Sequence, residues 1–235
     1  MLRHALRIRT QVYAPVSRVN FHIQRIVVSL SKTTELHPVG VRCICSAMLA
    51  VLEEPAIRAR VPAFTVANYH RLFELGMLSA RLELIRGALV EQMPKSPLHS
   101  SIVVLLSRYL PKHLPMGWHV RSEQPLTFAD SEPEPDLAVV KGAESAYFRA
   151  HPSTAALVIE VVVSSEALDR LKLQIYAEAG VQECWLVLAE ERVIERHTEP
   201  QDSAYQKIER AAFPGVLAST IFPAVVLPPT DLFPV

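Results

Sequence analysis

The sequence predicts a mixed α/β fold: an α+β sheet of moderate size with helices packed against it. Three observations carry this reading. Leu157–Val163 and Glu183–Leu188 are short apolar runs separated by a stretch with helical spacing, which is a β-α-β order. That unit follows a block of strand-like segments, which in turn follows helix-like ones, so the order is mixed. No segment recurs at a fixed period, and no apolar run reaches the roughly 18 residues of a membrane span.

Along the chain, residues 1–47 stand apart. They hold seven of the 24 Lys and Arg residues but one of the 24 acids, Glu35, and show no clear period. An Arg-rich, acid-poor head can be a transit peptide or a nucleic-acid arm. A disordered leader, or translation from a start upstream of the natural one with Met48 as the alternative, is the favoured expectation. We therefore divide the chain into an N-terminal extension, 1–55, and one domain, 56–235.

From Pro62 the punctuation is regular. Thr65 can cap a helix over Val66–Leu75, with Gly76 ending it. Leu82–Ile85 and Ala88–Met93 read as a hairpin turning at Arg86-Gly87. Pro94 to Pro97 is a loop, after which His99 opens a helix with Ile102, Leu105, Leu106, Tyr109 and Leu110 on one face. Gly117–Phe128 reads as one strand, Ala129–Pro135 as an acidic, proline-rich loop, and Asp136–Val140 as a short strand. Ser164 to Gly180 is a helix. Val193–Arg196 and Tyr205–Glu209 form a closing hairpin.

Composition narrows the function. With the head set aside, the body has 17 basic and 23 acidic residues. A mildly acidic body lacks the basic face of a strong non-specific duplex binder, which weighs against a nucleic-acid partner without deciding it. Cys43, Cys45 and Cys184 form neither a disulfide framework nor a zinc set, so a reducing, cytoplasmic setting is expected.

The chemistry centres on three residues. Glu160 interrupts Leu-Val-Ile-Glu-Val-Val-Val, a run that otherwise reads as a strand buried on both faces. A lone buried carboxylate is very unfavourable unless paired or metal-bound. The alternative is a half-exposed strand with Glu160 in water. On the following helix Leu168, Leu171, Ile175, Tyr176 and Ala179 mark a core-facing stripe, and Lys172 falls inside it. A lysine there needs a partner, with Glu160 the nearest candidate in sequence, unless its amine snorkels to solvent. Asp136 begins a strand beside a loop, or else simply ends the acidic stretch of Asp130, Glu132 and Glu134. Two carboxylates on neighbouring strands can hold a hard divalent cation, and a lysine can orient a water or offset developing charge. That is minimal equipment for hydrolysing a phosphodiester.

From about Pro62 to the C-terminus the sequence resembles the Uma-two family of restriction endonuclease-like proteins, a branch of the PD-(D/E)XK nucleases. The resemblance rests on Glu134-Pro135-Asp136-Leu137-Ala138-Val139-Val140, on Leu157-Val158-Ile159-Glu160-Val161, and on Lys172, Tyr176-Ala177 and Ala179-Gly180-Val181. It rests also on Glu183-Cys184-Trp185-Leu186-Val187 and on Leu82-Glu83-Leu84-Ile85 with Gly87 and His99. It implies a restriction-endonuclease-like core with flanking helices and an N-terminal hairpin. Asp136 and Glu160 are then Mg²⁺ ligands (Mn²⁺ could substitute), with the Val161 carbonyl as a third, and Lys172 is the catalytic lysine. Glu83 and His99 match further polar positions of the family, although His99 could equally cap its helix. The implied activity is a DNA endonuclease with no membrane association, and a homodimer would suit cutting two strands.

The sequence departs from the family pattern in three places. The stretch from Glu160 to Lys172 is about one residue short, and one residue is about 100° of helix rotation, enough to turn Lys172 away. Val163-Ser164 replaces a commoner Ser-Pro element. Ile85-Arg86-Gly87-Ala88 lacks an acid. The competing expectations are a weakened, nuclease-fold protein that binds nucleic acid or a protein partner, and a structural protein in which Glu160 and Lys172 are a buried ion pair.

Overall fold

The computed structural model describes residues 54–78, 81–163, 166–228 and 232–233. The expected extension over 1–55 lies outside the described residues except for its last two positions.

Two helices open the described chain, α1 (Pro55–Arg58) and α2 (Val66–Glu74). As expected, Thr65 caps α2, its hydroxyl accepting the Asn68 N–H at 3.1 Å. The helix docks through Tyr69, whose hydroxyl donates to the Leu82 carbonyl at 2.7 Å, and through His70, 2.8 Å from the buried Glu132. The hairpin β1 (Leu82–Ile85) and β2 (Ala88–Glu91) turns at Arg86-Gly87. Both turn residues have left-handed backbone, φ 51° and 72°, the conformation a two-residue hairpin of the favoured hand requires.

Helix α3 (Pro97–Tyr109) starts two residues before the expected His99. Ser96 is the cap and Pro97 takes the first helical position, where a missing N–H costs nothing. Strand β3 is also shorter than Gly117–Phe128, covering Trp118–Ser122. Glu123 at φ 53° turns the chain out of the sheet, and Pro125 cannot donate to a ladder. Strand β4 (Leu137–Lys141) begins one residue after Asp136.

Strand β5 (Leu157–Val162), helix α4 (Glu166–Glu178) and strand β6 (Glu183–Leu188) form the expected β-α-β unit, with β5 and β6 parallel. The closing hairpin, β7 (Val193–Gln201) and β8 (Ala204–Ala212), is roughly twice the expected length. Its polar composition concealed it. Arg196 stands opposite Glu209 in the register and pairs with it at 2.5 Å, so a charged strand is stabilised across the ladder. A small pair, β9 (Leu217–Ala218) and β10 (Val226–Leu227), follows.

The main sheet runs β3-β4-β5-β6-β7-β8, antiparallel except for β5 with β6. Every residue of β5 and β6 is buried, as expected for strands covered on both faces. One face carries Val139, Ile159, Val161, Trp185 and Val187 against Ile102, Leu106 and Leu110 of the α3 segment. The other carries Ala138, Val158, Val162 and Leu186 against Leu173, Tyr176 and Ala177 of α4. Strand alternation therefore puts Glu160, between Val158 and Val162 in period, on the α4 face.

Candidate active site

The β4/β5 ladder ends at the pair Leu137↔Ile159, and two carboxylates continue it. The Asp136 N–H donates to Glu160 Oε2 at 3.2 Å, and the Val161 N–H donates to Asp136 Oδ2 at 2.8 Å. Each acid thus accepts an amide from the other's strand. Both are buried, which answers whether Glu160 faces water: it does not.

Helix α4 supplies the rest from the facing layer. The Tyr176 hydroxyl donates to Glu160 Oε1 at 2.6 Å. Lys172, one turn earlier, is buried with its amine 3.0 Å from Glu83 Oε2 and 3.8 Å from Glu160 Oε1. Two alternatives that the sequence left open fall here. The shortened stretch before Lys172 does not turn the lysine away, and its amine does not snorkel to solvent. Its nearer partner is Glu83 on β1, not Glu160, and Arg86 of the same hairpin pairs with Glu178 at the end of α4.

His99, on the first turn of α3, does not cap its helix. Its Nε2 lies 3.0 Å from the Asp136 carboxylate, so that nitrogen carries the proton, since a carboxylate only accepts. The Gln92 amide donates to Glu83 at 3.2 Å and to Glu134 at 2.8 Å. Lys95 sits 2.6 Å from Glu123 and 3.7 Å from Asp136. All of these but Glu123 line one cleft, with Val161, Leu168 and the buried Asp169 completing its wall.

The six residues singled out from sequence, Glu83, His99, Asp136, Glu160, Val161 and Lys172, therefore meet in this cleft. Tyr176, Gln92, Glu134, Asp169 and Lys95 were missed as members. Spacing held the signal for three of them. Tyr176 and Asp169 lie four and three residues from Lys172 on one helix face, and Glu134 lies two from Asp136 in extended chain. Gln92 and Lys95 sit in a loop, where no period points.

The family model described as "Uma2: Putative restriction endonuclease" matches residues 67–230. That span includes the hairpin, both carboxylate strands and α4. The chain belongs to the Uma2 family. Among solved structures, it is similar to a protein from Anabaena variabilis ATCC 29413 described as a putative nuclease belonging to DUF820. That match has a TM-score of 0.59 and 20% identity, and it covers 69% of this chain and 96% of that one. The likeness shows the shared fold. A comparison with curated proteins finds no match.

The electrostatics of this Uma2 cleft are one-sided. Glu83, Glu134, Asp136, Glu160 and Asp169 face Lys95 and Lys172, five acidic side chains against two basic ones. Burial pushes the Glu160 carboxyl up to about 8, and the nearby Asp136 charge adds to this while Lys172 opposes it. Burial raises Glu134 as well. For Lys172, burial acts to lower the amine. The charges of Glu160, Glu83 and Asp169 and the hydrogen bond to Glu83 outweigh it, so the amine is held above its ordinary value and stays charged.

A cation of higher charge would relieve this imbalance. Among the described residues, no group of three or more His, Cys, Asp or Glu side chains is placed to hold a metal ion. What the cleft offers is two hydrogen-bonded carboxylates with lone pairs to spare, all oxygen donors. This suits Mg²⁺, which keeps several waters and takes only one or two carboxylates.

Proposed function

We propose that this chain is a Mg²⁺-dependent endonuclease that hydrolyses DNA phosphodiester bonds, with Mn²⁺ as a substitute. The observation that carries the reading is the reciprocal Asp136–Glu160 clasp with a charged lysine sealed beside it. Mg²⁺ bound there supplies Lewis-acid polarisation of the phosphate and makes a water easier to deprotonate.

The chain's own residues do the rest. Asp136 and Glu160 would hold the metal, with the Val161 carbonyl as a third ligand. Tyr176 fixes one oxygen of Glu160, and the Asp136 amide fixes the other, so the carboxylate is oriented before any ligand arrives. His99 does the same for Asp136 through its Nε2–H. Lys172 places a fixed positive charge where negative charge grows during attack on phosphorus, and it needs no reorganisation because Glu83 already anchors it. The hairpin and α4 shield this group from bulk water, which strengthens each of these interactions. Cutting both strands of a duplex would call for two such clefts, so a homodimer belongs to this reading.

The test is plasmid nicking in Mg²⁺ or Mn²⁺, comparing wild type with Glu160→Ala. Cleavage by wild type and its loss in the variant are expected. Equal cleavage by both would remove Glu160 from the mechanism. Absence of cleavage by wild type would leave a nuclease fold that binds without cutting.

A further inference from the structure

We infer that Lys95 is the residue that receives a backbone phosphate of the DNA substrate at the mouth of the cleft, and that its contact with Glu123 and Asp136 is a resting position. This rests on the nuclease reading above. Of the two lysines in the cleft, Lys172 is sealed, with 6% of its side chain exposed, whereas Lys95 is 35% exposed. A polymer approaching from solvent meets Lys95 at the mouth before it meets the deeper Lys172.

Its partners argue against a purely structural role. Asp136 already accepts from His99 at 3.0 Å and from the Val161 amide at 2.8 Å, and Lys95 stands farther off, at 3.7 Å. Asp136 therefore does not depend on Lys95. The close contact is with Glu123, at 2.6 Å, and that acid is itself 46% exposed. Exposed pairs of this kind contribute little to stability, so exchange for a phosphate costs little. Lys95 also sits in the irregular segment between β2 and α3, outside helix and sheet.

The cleft needs such a group. Its lining has five carboxylates, and residues 48–235 carry six more acids than bases, so an approaching phosphodiester is repelled. A lysine that leaves Glu123 for a phosphate oxygen offsets that repulsion at the entrance. It also keeps its charge near Asp136, so the bound phosphate lies beside the carboxylate pair.

The experiment measures binding of a short fluorescein-labelled DNA duplex by anisotropy, in Ca²⁺ and in EDTA over a series of salt concentrations, with plasmid cleavage run in parallel. The proteins are wild type, Lys95→Ala, Lys95→Arg and Glu123→Gln. Lys95→Ala should weaken binding about tenfold and lower the salt slope by about 1, and the loss in kcat/KM should fall on KM. Lys95→Arg should restore binding. Glu123→Gln, which frees the lysine, should bind at least as tightly as wild type. A merely structural pair predicts instead that Lys95→Ala and Glu123→Gln behave alike, and that result would overturn the inference. Unchanged affinity and slope in Lys95→Ala, with wild type cleaving, would refute Lys95 alone. Weakened binding in Lys95→Ala with no cleavage by wild type would refute the nuclease reading and keep Lys95. No binding of DNA by wild type would refute both.

Discussion

Replacing Glu160 with Gln should make the metal-free protein more stable, by an amount that grows with pH. The structure supplies the reasoning. Burial holds the Glu160 carboxyl up near about 8, against an ordinary 4.5 in the unfolded chain. A carboxylate raised on folding is most favourable to the native state below its unfolded value, and it becomes a growing burden as pH climbs toward the folded one. At pH 7 the native protein must either bind a proton that the unfolded chain has released or bury the charge. Binding the proton is the cheaper route and costs about 3 kcal/mol at 1.36 kcal/mol per unit; burying the charge costs about 5 kcal/mol. Gln mimics the neutral acid. Its single carbonyl oxygen can keep the Asp136 N–H, and its amide can donate to Tyr176, whose hydroxyl then reverses from donor to acceptor. That rearrangement and the weaker hold on Lys172 offset about 1 kcal/mol. A net gain of about 2 kcal/mol at pH 7 follows, worth about 4–8 °C for a chain of this size. Thermal unfolding in EDTA, followed by circular dichroism at pH 5, 7 and 8.5, reads this directly. The gap between variant and wild type should be small at pH 5 and widest at pH 8.5, and added Mg²⁺ should raise the Tm of wild type alone. A gap that stays constant, or narrows as pH rises, would refute the assignment of Glu160 as the desolvated acid of the cleft.

Lys172→Met leaves Glu83 and Glu160 buried without their cation, so it should destabilise by about 3–5 kcal/mol in urea unfolding. Adding Glu83→Gln to it should recover a large part of that loss without restoring cleavage. Gly87→Ala places a Cβ 2.5 Å from Ala63 Cβ at a backbone φ of +72°, so a loss of about 2 kcal/mol or more is expected, measured by the same unfolding curves. An unchanged midpoint would mean that the hairpin does not close against residues 63–64.

The sheet's centre was legible in the sequence because burial on both faces writes itself as an uninterrupted apolar run, as at Leu157–Val163 and Glu183–Leu188. The edges were harder. Strand β7 carries buried Glu195, Arg196 and His197; Arg170 and Arg210 pair with Glu195 and Glu209 pairs with Arg196 from other elements, and a linear pattern cannot display those partners. The early stop of β3 depends on one left-handed residue, Glu123, of a type with no special preference for that conformation. Within the site, Glu160 and Lys172 declared themselves as charges in apolar stripes. Lys172's closer partner, Glu83, lies 89 positions away, and its choice is a matter of how the hairpin packs against α4.

The clasp between Asp136 and Glu160 gives strand pairing a second meaning. Its two amide bonds continue the β4/β5 ladder beyond Leu137↔Ile159, so the rungs that align the strands also set the spacing of the acids. A slip of one residue between these strands would carry a carboxylate to the α3 face, among Ile102, Leu106 and Trp185. Such a misaligned chain would have to bury an acid in hydrocarbon. The cleft therefore acts as a gauge on folding: only the register that assembles the acids next to Lys172 is one the core can accept.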